Sequence, residues 1–219
     1  MDKIFQAILG VLIVFVFISL PVVSQNNIVS VGEFSKMGLS DWEQKTFGSE
    51  TLYIIEGQAG SKYLYASANN SASAIYKKVK VDLSKTPYLN WSWKIDRPLP
   101  ELNEQTKEGD DYSARVYVIV NRRLSPWNAK ALNYIWSSNK PTISSWPNAF
   151  TNKTIMIPLR TSLDANQEWM SEKVNVKVDF EEYFDIRVDS IDGVAIMVDS
   201  DNSGLQAAAS FGDLYFSSN

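Results

Sequence analysis

The 219-residue chain contains no cysteine and no histidine. Without cysteine it can form no disulfide and no thiolate nucleophile, and its N-terminus cannot carry a lipid-modified cysteine. Without histidine it lacks the commonest general base and the commonest metal ligand. Any catalysis must therefore use carboxylates, tyrosine, lysine or serine.

Clustered positive charge is also missing. The chain has 21 lysines and arginines against 25 aspartates and glutamates, which gives a net charge of −4. The basic residues are scattered along the sequence instead of forming a patch. Nucleic acid is therefore not an expected partner.

The first 24 residues have the pattern of a signal peptide. Lys3 precedes an apolar run over residues 7–18, and Val22 and Ser24 suit cleavage before Gln25. We therefore expect a periplasmic or secreted protein with no membrane span after cleavage. A retained N-terminal anchor is the alternative, because the run is near the short end of a membrane span.

The rest of the chain, residues 25–219, suits a single all-β domain. Short β-branched and aromatic runs alternate with turn residues, which is typical of antiparallel sheets. Ten strands are predicted, near Thr51–Glu56, Lys62–Ala68, Ala74–Val81, Tyr88–Ile95, Ser113–Val120, Leu132–Trp136, Thr154–Leu159, Val174–Val178, Gly193–Val198 and Leu214–Ser217. This number predicts a two-sheet antiparallel β-sandwich with one or two short helices.

Helix signals are few. Asp179 and Glu182 have the spacing of a capping box, which predicts a helical turn beginning there. The composition of Leu163–Lys173 is also compatible with a helix. Two long irregular stretches, Pro98–Gly109 and Asn139–Asn152, are unusual for a compact domain and favour a functional role.

Carboxylates crowd the ends of two apolar strands. Asp110 and Asp111 precede the strand near Ser113–Val120, whereas Asp199 and Asp201 follow the strand near Gly193–Val198. Crowded acids at the end of a buried strand repel one another, so they recruit a cation, an arginine or a hydrogen-bonding ligand. These four acids are the candidate catalytic or binding residues.

Arg115 is the first candidate partner for these acids. It shares a strand face with Asp111 and Ser113, so it can neutralise Asp111 or Asp213 in a buried network. A structural ion pair without a ligand is the alternative interpretation.

The segment Asp199–Gly204 has the opening spacing of a calcium loop. Oxygen-bearing side chains occupy alternate positions, and a glycine stands at the sharp turn. The twelfth position is Ser210 instead of a bidentate glutamate, although Asp213 is near in sequence. The candidate metal ligands are therefore Asp199, Asp201 and Asp213, with Ca²⁺ as the candidate cofactor, and an ordinary Asx-rich turn is the alternative.

The tryptophans divide into strand and loop positions. Trp91 and Trp93 face one side of a strand, where they either pack between two sheets or line a binding groove. Trp127, Trp136 and Trp146 lie in or beside loops, where an indole either contacts a ligand or anchors the loop. The candidate ligand-binding residues are Trp93, Trp146, Arg115 and Asn202.

Several of these motifs together resemble a bacterial family catalogued as domain of unknown function 3047. The resemblance covers most of residues 25–219. It is carried by Trp91–Lys94, Gly109–Asp111, Arg115–Tyr117, Leu132–Trp136, Trp169 with Glu172, Asn175–Val176, Asp179–Phe180, Gly193–Asn202 and Gly212–Phe216. The stretch Asp185–Ser190 departs from the glycine-containing form of the family. The closing segment also looks like the end of galactose-binding-like jelly rolls and carbohydrate-binding modules.

This resemblance implies a fold more than a function. Together with the export signal and the tryptophans, it leads us to expect a β-sandwich that binds a glycan or related polyol. A carboxylate-dependent glycoside hydrolase or polysaccharide lyase is the first alternative. A structural envelope protein without a small ligand is the second.

Overall fold

The computed structural model describes residues 27–121, 129–164 and 167–219. The predicted signal peptide and Trp127 lie outside these residues. The strands are β1 (Ile28–Gly32), β2 (Glu43–Thr46), β3 (Leu52–Glu56), β4 (Tyr63–Asn69), β5 (Ala72–Asp82), β6 (Tyr88–Arg97), β7 (Ala114–Val120), β8 (Lys130–Trp136), β9 (Trp146–Asn148), β10 (Thr151–Arg160), β11 (Met170–Asn175), β12 (Ser190–Asp199), β13 (Gln206–Phe211) and β14 (Leu214–Ser217). A 3₁₀ turn spans Lys107–Gly109 and helix α1 spans Val176–Phe184.

The strands form two sheets, so the predicted β-sandwich is confirmed. The first sheet has the order β1-β14-β6-β13-β4-β3, and β11 pairs with β6. The second sheet has the order β2-β5-β12-β7-β8-β10-β9. Every described pair is antiparallel except β8 with β10, which is parallel.

Aromatic side chains fill the space between the two sheets. Trp91 and Trp93 of β6 are buried, and their rings lie 5.7 Å and 5.8 Å from those of Tyr134 and Trp136 on β8. The Trp93 Nε1–H donates to Glu172 at 2.9 Å. Burial of large apolar side chains is the main stabilising contribution to a fold of this kind.

Four strands were not predicted from the sequence. Strands β1 and β2 are short and β9 has only three residues. Strand β13 contains three consecutive alanines, which have low intrinsic strand preference and no β-branched or aromatic signal. Its burial between β4 and β6 stabilises it as a strand, so tertiary packing overrides the local preference.

The helix predictions need correction. Helix α1 begins after Asn175, whose side chain accepts a hydrogen bond from Val178 N, so Asp179 lies inside the first turn and is not the cap. The predicted strand at Val174–Val178 is therefore wrong beyond Asn175. The helix expected over Leu163–Lys173 is also wrong, because the described part of that segment contains a turn and most of β11.

Candidate functional site

The acidic ends of β7 and β12 lie side by side. The two strands are antiparallel neighbours, and Met197 pairs with Arg115. The end of β12 therefore reaches the segment that leads into β7, where Asp199 N donates to Tyr112 O at 3.3 Å. This pairing brings Asp110, Asp111, Asp199 and Asp201 to one end of the second sheet.

Arg115 is the centre of this cluster. Its Nε donates to Asp199 Oδ1 at 2.8 Å, and its Nη2 contacts Asp199 Oδ2 in the same ion pair. The guanidinium also donates to Asp110 O at 3.0 Å and to Tyr117 Oη at 3.1 Å, and it stacks 4.4 Å from the centre of the Tyr112 ring. Only 3% of Arg115 is exposed, so a bidentate carboxylate is the partner its burial requires.

Asp111 fixes the loop that follows β12. This fully buried carboxylate accepts from Asn202 N at 3.2 Å, from Asn202 Nδ2 at 3.0 Å and from Ser203 N at 2.6 Å. The Asn202 side chain, a predicted ligand contact, is therefore directed at a protein carboxylate. These bonds hold the turn against the start of β7.

Asp110 connects the cluster to β9. Both of its carboxylate oxygens accept from Asn148 Nδ2, at 2.9 Å and 2.7 Å. Burial raises the pKa of Asp110, and the nearby positive charge of Arg115 opposes that shift. We call Asp110, Asp111, Asp199 and Arg115 the acidic network.

The acidic network has some of the geometry of a cation site. Oxygens of Asp111, Asp199 and Asp201 lie within 4.8 Å of one another, and Asp201 is exposed. Carboxylate oxygens are the ligands that calcium prefers. Two of these carboxylates already accept bonds from Arg115 or from loop amides, which compensate part of their charge.

Asp213, the third predicted metal ligand, lies elsewhere. Its carboxylate accepts from Ser35 N at 2.9 Å and from Ser35 Oγ at 2.5 Å, between β13 and β14 of the first sheet. Asp111 takes its place in the group of three carboxylates. Sequence proximity to Ser210 suggested Asp213, whereas the pairing of β7 with β12 selects Asp111.

A cleft of about 480 Å³ lies beside the acidic network, and we call it the loop-end cleft. It is lined by Glu101, Leu102, Asn103, Glu104, Gln105, Asn139, Pro141 and Trp146. These residues come from the two long irregular stretches that the sequence marks as functional candidates, together with β9.

Glu104 secures one wall of the cleft. Its carboxylate accepts from Ser137 Oγ at 2.7 Å, from Ser138 N at 2.6 Å and from Ser138 Oγ at 2.8 Å. Glu104 is 3% exposed, and this burial raises its pKa against the effect of those hydrogen bonds and of Arg115.

The backbone beside Glu104 is folded tightly on itself. A Cβ added at Gly109 would lie 2.4 Å from Asn103 O, so only glycine permits this close approach. This close approach holds Asn103, in the cleft wall, against Gly109, which directly precedes Asp110 of the acidic network. The wall is therefore a folded element attached to the end of β8.

Trp146 forms part of the cleft and also packs beneath it. Its ring packs with Tyr112, Ile135 and Met156 on the outward side of the second sheet, and 5% of the residue is exposed. Its Nε1–H meets no acceptor within hydrogen-bonding geometry in the described part of the chain. Trp146 therefore anchors the loop and lines the cleft, whereas ligand contact, the other role considered for it from the sequence, stays a prediction.

The structure separates the predicted site residues into two groups. Asp110, Asp111, Asp199, Asp201, Arg115, Asn202 and Trp146 lie at one end of the sandwich. Trp93 is fully buried between the sheets, so it packs in the core and does not line a binding groove, the other position considered from the sequence. Sequence reasoning missed Glu104, Asn103, Gln105 and Asn139 as individual residues, because no motif distinguishes single polar residues within a long loop.

Comparison with protein families identifies a match over most of the chain. The family described as "Protein of unknown function (DUF3047)" matches residues 40–215. A comparison with curated proteins finds no match. Among residues 27–121, 129–164 and 167–219, no helix is long and apolar enough to cross a membrane.

Several solved structures are similar in fold. The endoglucanase cel12A from Rhodothermus marinus has a TM-score of 0.45 and 12% identity, over 87% of this chain and 95% of that one. The K1 cleaved adhesin domain of Lys-gingipain from Porphyromonas gingivalis W83 has a TM-score of 0.44 and 10% identity, over 90% and 99%. The mannan-recognising carbohydrate-binding module TmCBM27 has a TM-score of 0.41 and 10% identity, over 90% and 99%.

Proposed function

Because the chain belongs to the DUF3047 family, whose description assigns no activity, we propose a function from the site itself: an exported protein that binds a glycan or related polyol in the loop-end cleft. One observation carries this proposal. The cleft combines carboxamide and carboxylate side chains with an indole in a space of about 480 Å³. Sugar hydroxyls both donate and accept hydrogen bonds, and carboxamides offer both functions at once.

The cleft walls are held in place before any ligand arrives. Glu104 joins the loop to Ser137 and Ser138, and Asn139 Nδ2 donates to Leu102 O at 2.5 Å. Asp110 and Asn148 join the acidic network to β9, which carries Trp146. A prearranged wall lowers the entropy lost on binding, which favours recognition of a weakly binding polyol.

The negative charge of the cleft lining favours ligands that carry no negative charge. Glu101 and Glu104 line the cleft, and the described residues contribute no lysine or arginine to its lining. An anionic sugar or phosphate would meet the Glu101 carboxylate, near the buried Glu104, without a balancing cation from the lining residues. A neutral sugar is therefore favoured over an acidic one.

A carboxylate-dependent hydrolase is the second candidate, and the raised pKa of Glu104 favours it. A general acid that must be protonated near neutral pH needs a carboxyl in such a buried position. Against this, both Glu104 oxygens accept hydrogen bonds from serine donors, so the carboxylate is oriented toward the protein. Binding without turnover therefore agrees better with the observed contacts.

A glycan array screened with residues 25–219, followed by mass spectrometry of each bound glycan, tests both candidates. Replacing Asn103 and Gln105 together by alanine removes two hydrogen-bonding groups, and we expect binding to weaken by roughly 5- to 150-fold at about 0.5–1.5 kcal/mol per bond. Gln58→Ala is the matched control, because Gln58 is exposed in a turn between β3 and β4. New products would favour the hydrolase, and unchanged binding of every glycan by the double variant would refute the cleft as a binding site.

Export is proposed from residues 7–18, which lie outside the described residues. Intact-mass analysis of the protein from the periplasm or medium should give a chain that begins near Gln25. Recovery of the full-length chain in membranes would favour the retained anchor instead.

A further inference from the structure

A second groove lies on the outward side of the first sheet, away from the loop-end cleft. Alternate residues of β6 face outward there, so Asn90, Ser92 and Lys94 are partly exposed while the residues between them are buried. Strand β11 continues this face, because Lys173 pairs with Asn90 and Ser171 pairs with Ser92. The groove has a volume of about 430 Å³.

An interruption between two strands opens this groove. Strands β13 and β14 pair with the same edge of β6, and Gly212 and Asp213 separate them. Gly212 N donates to Ser92 O at 2.8 Å, so the backbone lies very close to β6. A Cβ added at Gly212 would lie 2.3 Å from Ser92 Oγ, so a side chain there would force the Ser92 hydroxyl to rotate away from its present position in the groove.

Hydrogen-bonding groups line the middle of the groove, and an aromatic residue lies at one end. Asn90, Ser92, Ser171 and Lys173 are among the lining residues, and Tyr215 lines it with 36% of its surface exposed. The Lys173 ammonium lies 4.7 Å from the centre of the Tyr88 ring, which extends the aromatic surface along β6.

A second aromatic platform lies further along β6. Trp169 is 44% exposed and meets Tyr63 edge to face, with ring centres 5.5 Å apart. The Lys94 ammonium lies 5.7 Å from the Tyr63 ring and 5.8 Å from the Trp169 ring. Lys94 is further fixed by Asp96 at 2.6 Å. An exposed indole held by two neighbours, Tyr63 and Lys94, is a prearranged stacking surface.

The spacing of the two platforms indicates an extended ligand. Lys94, beside Trp169, and Asn90, opposite Tyr215, are four residues apart on one strand, which corresponds to ~13 Å along β6. A single sugar ring cannot contact both ends, whereas a linear oligosaccharide can place one ring on each platform and hydroxyls between them. The apolar face of a sugar ring suits an indole or phenol, and its hydroxyls suit the amide, hydroxyl and ammonium groups between.

The charges along the groove balance. Lys94 is paired with Asp96, Glu172 accepts from Arg160 Nε at 2.6 Å, and the groove is lined by both Lys173 and Asp213. A polyanion or a polycation would therefore find no net attraction here. We propose that this outer groove binds a linear polysaccharide of neutral sugars, independently of the loop-end cleft.

Calorimetric titration of residues 25–219 with gluco-, manno- and xylo-oligosaccharides of six β-1,4-linked units tests the proposal. At least one should bind, and Trp169→Ala and Tyr215→Ala should each weaken that binding by about tenfold or more, because each removes one stacking surface. Phe47→Ala is the matched control: Phe47 is also an exposed aromatic residue but follows β2 of the other sheet, so binding should stay unchanged.

Two further variants separate stacking from folding and from the other site. Trp169→Phe keeps a ring and should retain most of the affinity, and every variant should melt within about 2 °C of the wild type, since exposed positions contribute little to stability. The Asn103 and Gln105 double variant should bind these oligosaccharides through the outer groove as before. Absence of binding to all three oligosaccharides would overturn the proposal. The proposal would also be overturned if only the Asn103 and Gln105 double variant lost binding. Full binding by a protein with both Trp169→Ala and Tyr215→Ala would overturn it as well.

Discussion

Replacement of Asp199 by asparagine tests whether the acidic network stabilises the fold. Asparagine keeps the shape of the side chain and one acceptor, but it removes the charge and places an NH₂ group toward Arg115 Nη2. As an ion-pair partner, Arg115 would then keep the more distant Asp110 carboxylate, at 3.9 Å, beside its hydrogen bonds to Asp110 O and Tyr117 Oη. Because Arg115 and Asp199 are 3% and 1% exposed, water cannot replace the lost partner.

The expected loss follows from this burial. Breaking a buried ion pair from one side costs about 3–5 kcal/mol of unfolding free energy. For a domain of this size, 1 kcal/mol shifts the melting temperature by about 2–4 °C, so the Asp199→Asn protein should melt roughly 6–20 °C below the wild type. Circular dichroism during heating, supported by urea unfolding, measures both quantities.

The matched control is Asp201→Asn. Asp201 belongs to the same group of carboxylates but is exposed, so its loss should change stability by less than about 0.5 kcal/mol. A second variant, Asp199→Asn with Arg115→Met, removes both charges of this ion pair and should recover part of the loss. If Asp199→Asn melts like Asp201→Asn, the acidic network does not stabilise the fold and the reasoning is refuted.

Four further measurements address other parts of the structure. Burial raises the pKa of Glu104 above its ordinary value of 4.5, so its protonation stabilises the fold fully below pH 4.5, and this stabilisation is lost as the pH rises through the raised pKa. The melting temperature of the wild type minus that of Glu104→Gln should therefore be larger at pH 4.5 than at pH 8. A constant difference would contradict the raised pKa. Tyr134→Phe removes the 2.6 Å hydrogen bond to Asp179 and should cost about 1–3 kcal/mol in urea unfolding, whereas a neutral result would mean that water replaces the hydroxyl. Asn175→Ala should cost about 0.5–2 kcal/mol by loss of the helix cap, and an unchanged midpoint would argue against that cap. Calcium binding by Asp111, Asp199 and Asp201 would raise the melting temperature at millimolar Ca²⁺, and Asp201→Asn would reduce that rise. Identical melting curves with calcium and with chelator would mean that Asp199–Gly204 is only a hydrogen-bonded turn.

The sandwich could be predicted from the sequence because its central strands carry strong local signals. Trp91 and Trp93 alternate with polar residues, and Ala114–Val120 is rich in β-branched residues. Strand β13 and the cap of α1 could not be predicted in this way. The first depends on burial between two neighbours, and the second on where the preceding strand β11 ends.

The candidate site was only partly accessible from sequence. The acids at the ends of β7 and β12 could be grouped, because adjacent strands bring their ends together. The choice of Asp111 over Asp213 could not be made, since it depends on strand order and not on spacing. Glu104 and Asn103 were hidden for a different reason: hydrogen bonds and a close backbone contact within an irregular loop leave no periodic pattern.

The parallel pairing of β8 with β10 determines where the sequence can vary around the loop-end cleft. Antiparallel neighbours can be joined by a two-residue hairpin, but parallel neighbours require the chain to return to the starting end of the sheet. That return path runs from Ser137 to Phe150, and it supplies Asn139, Pro141 and Trp146 to the cleft. Its length is set by topology, whereas most of its residues are free of sheet hydrogen bonds. Insertions and substitutions there can remodel the cleft while the register of both strands remains unchanged.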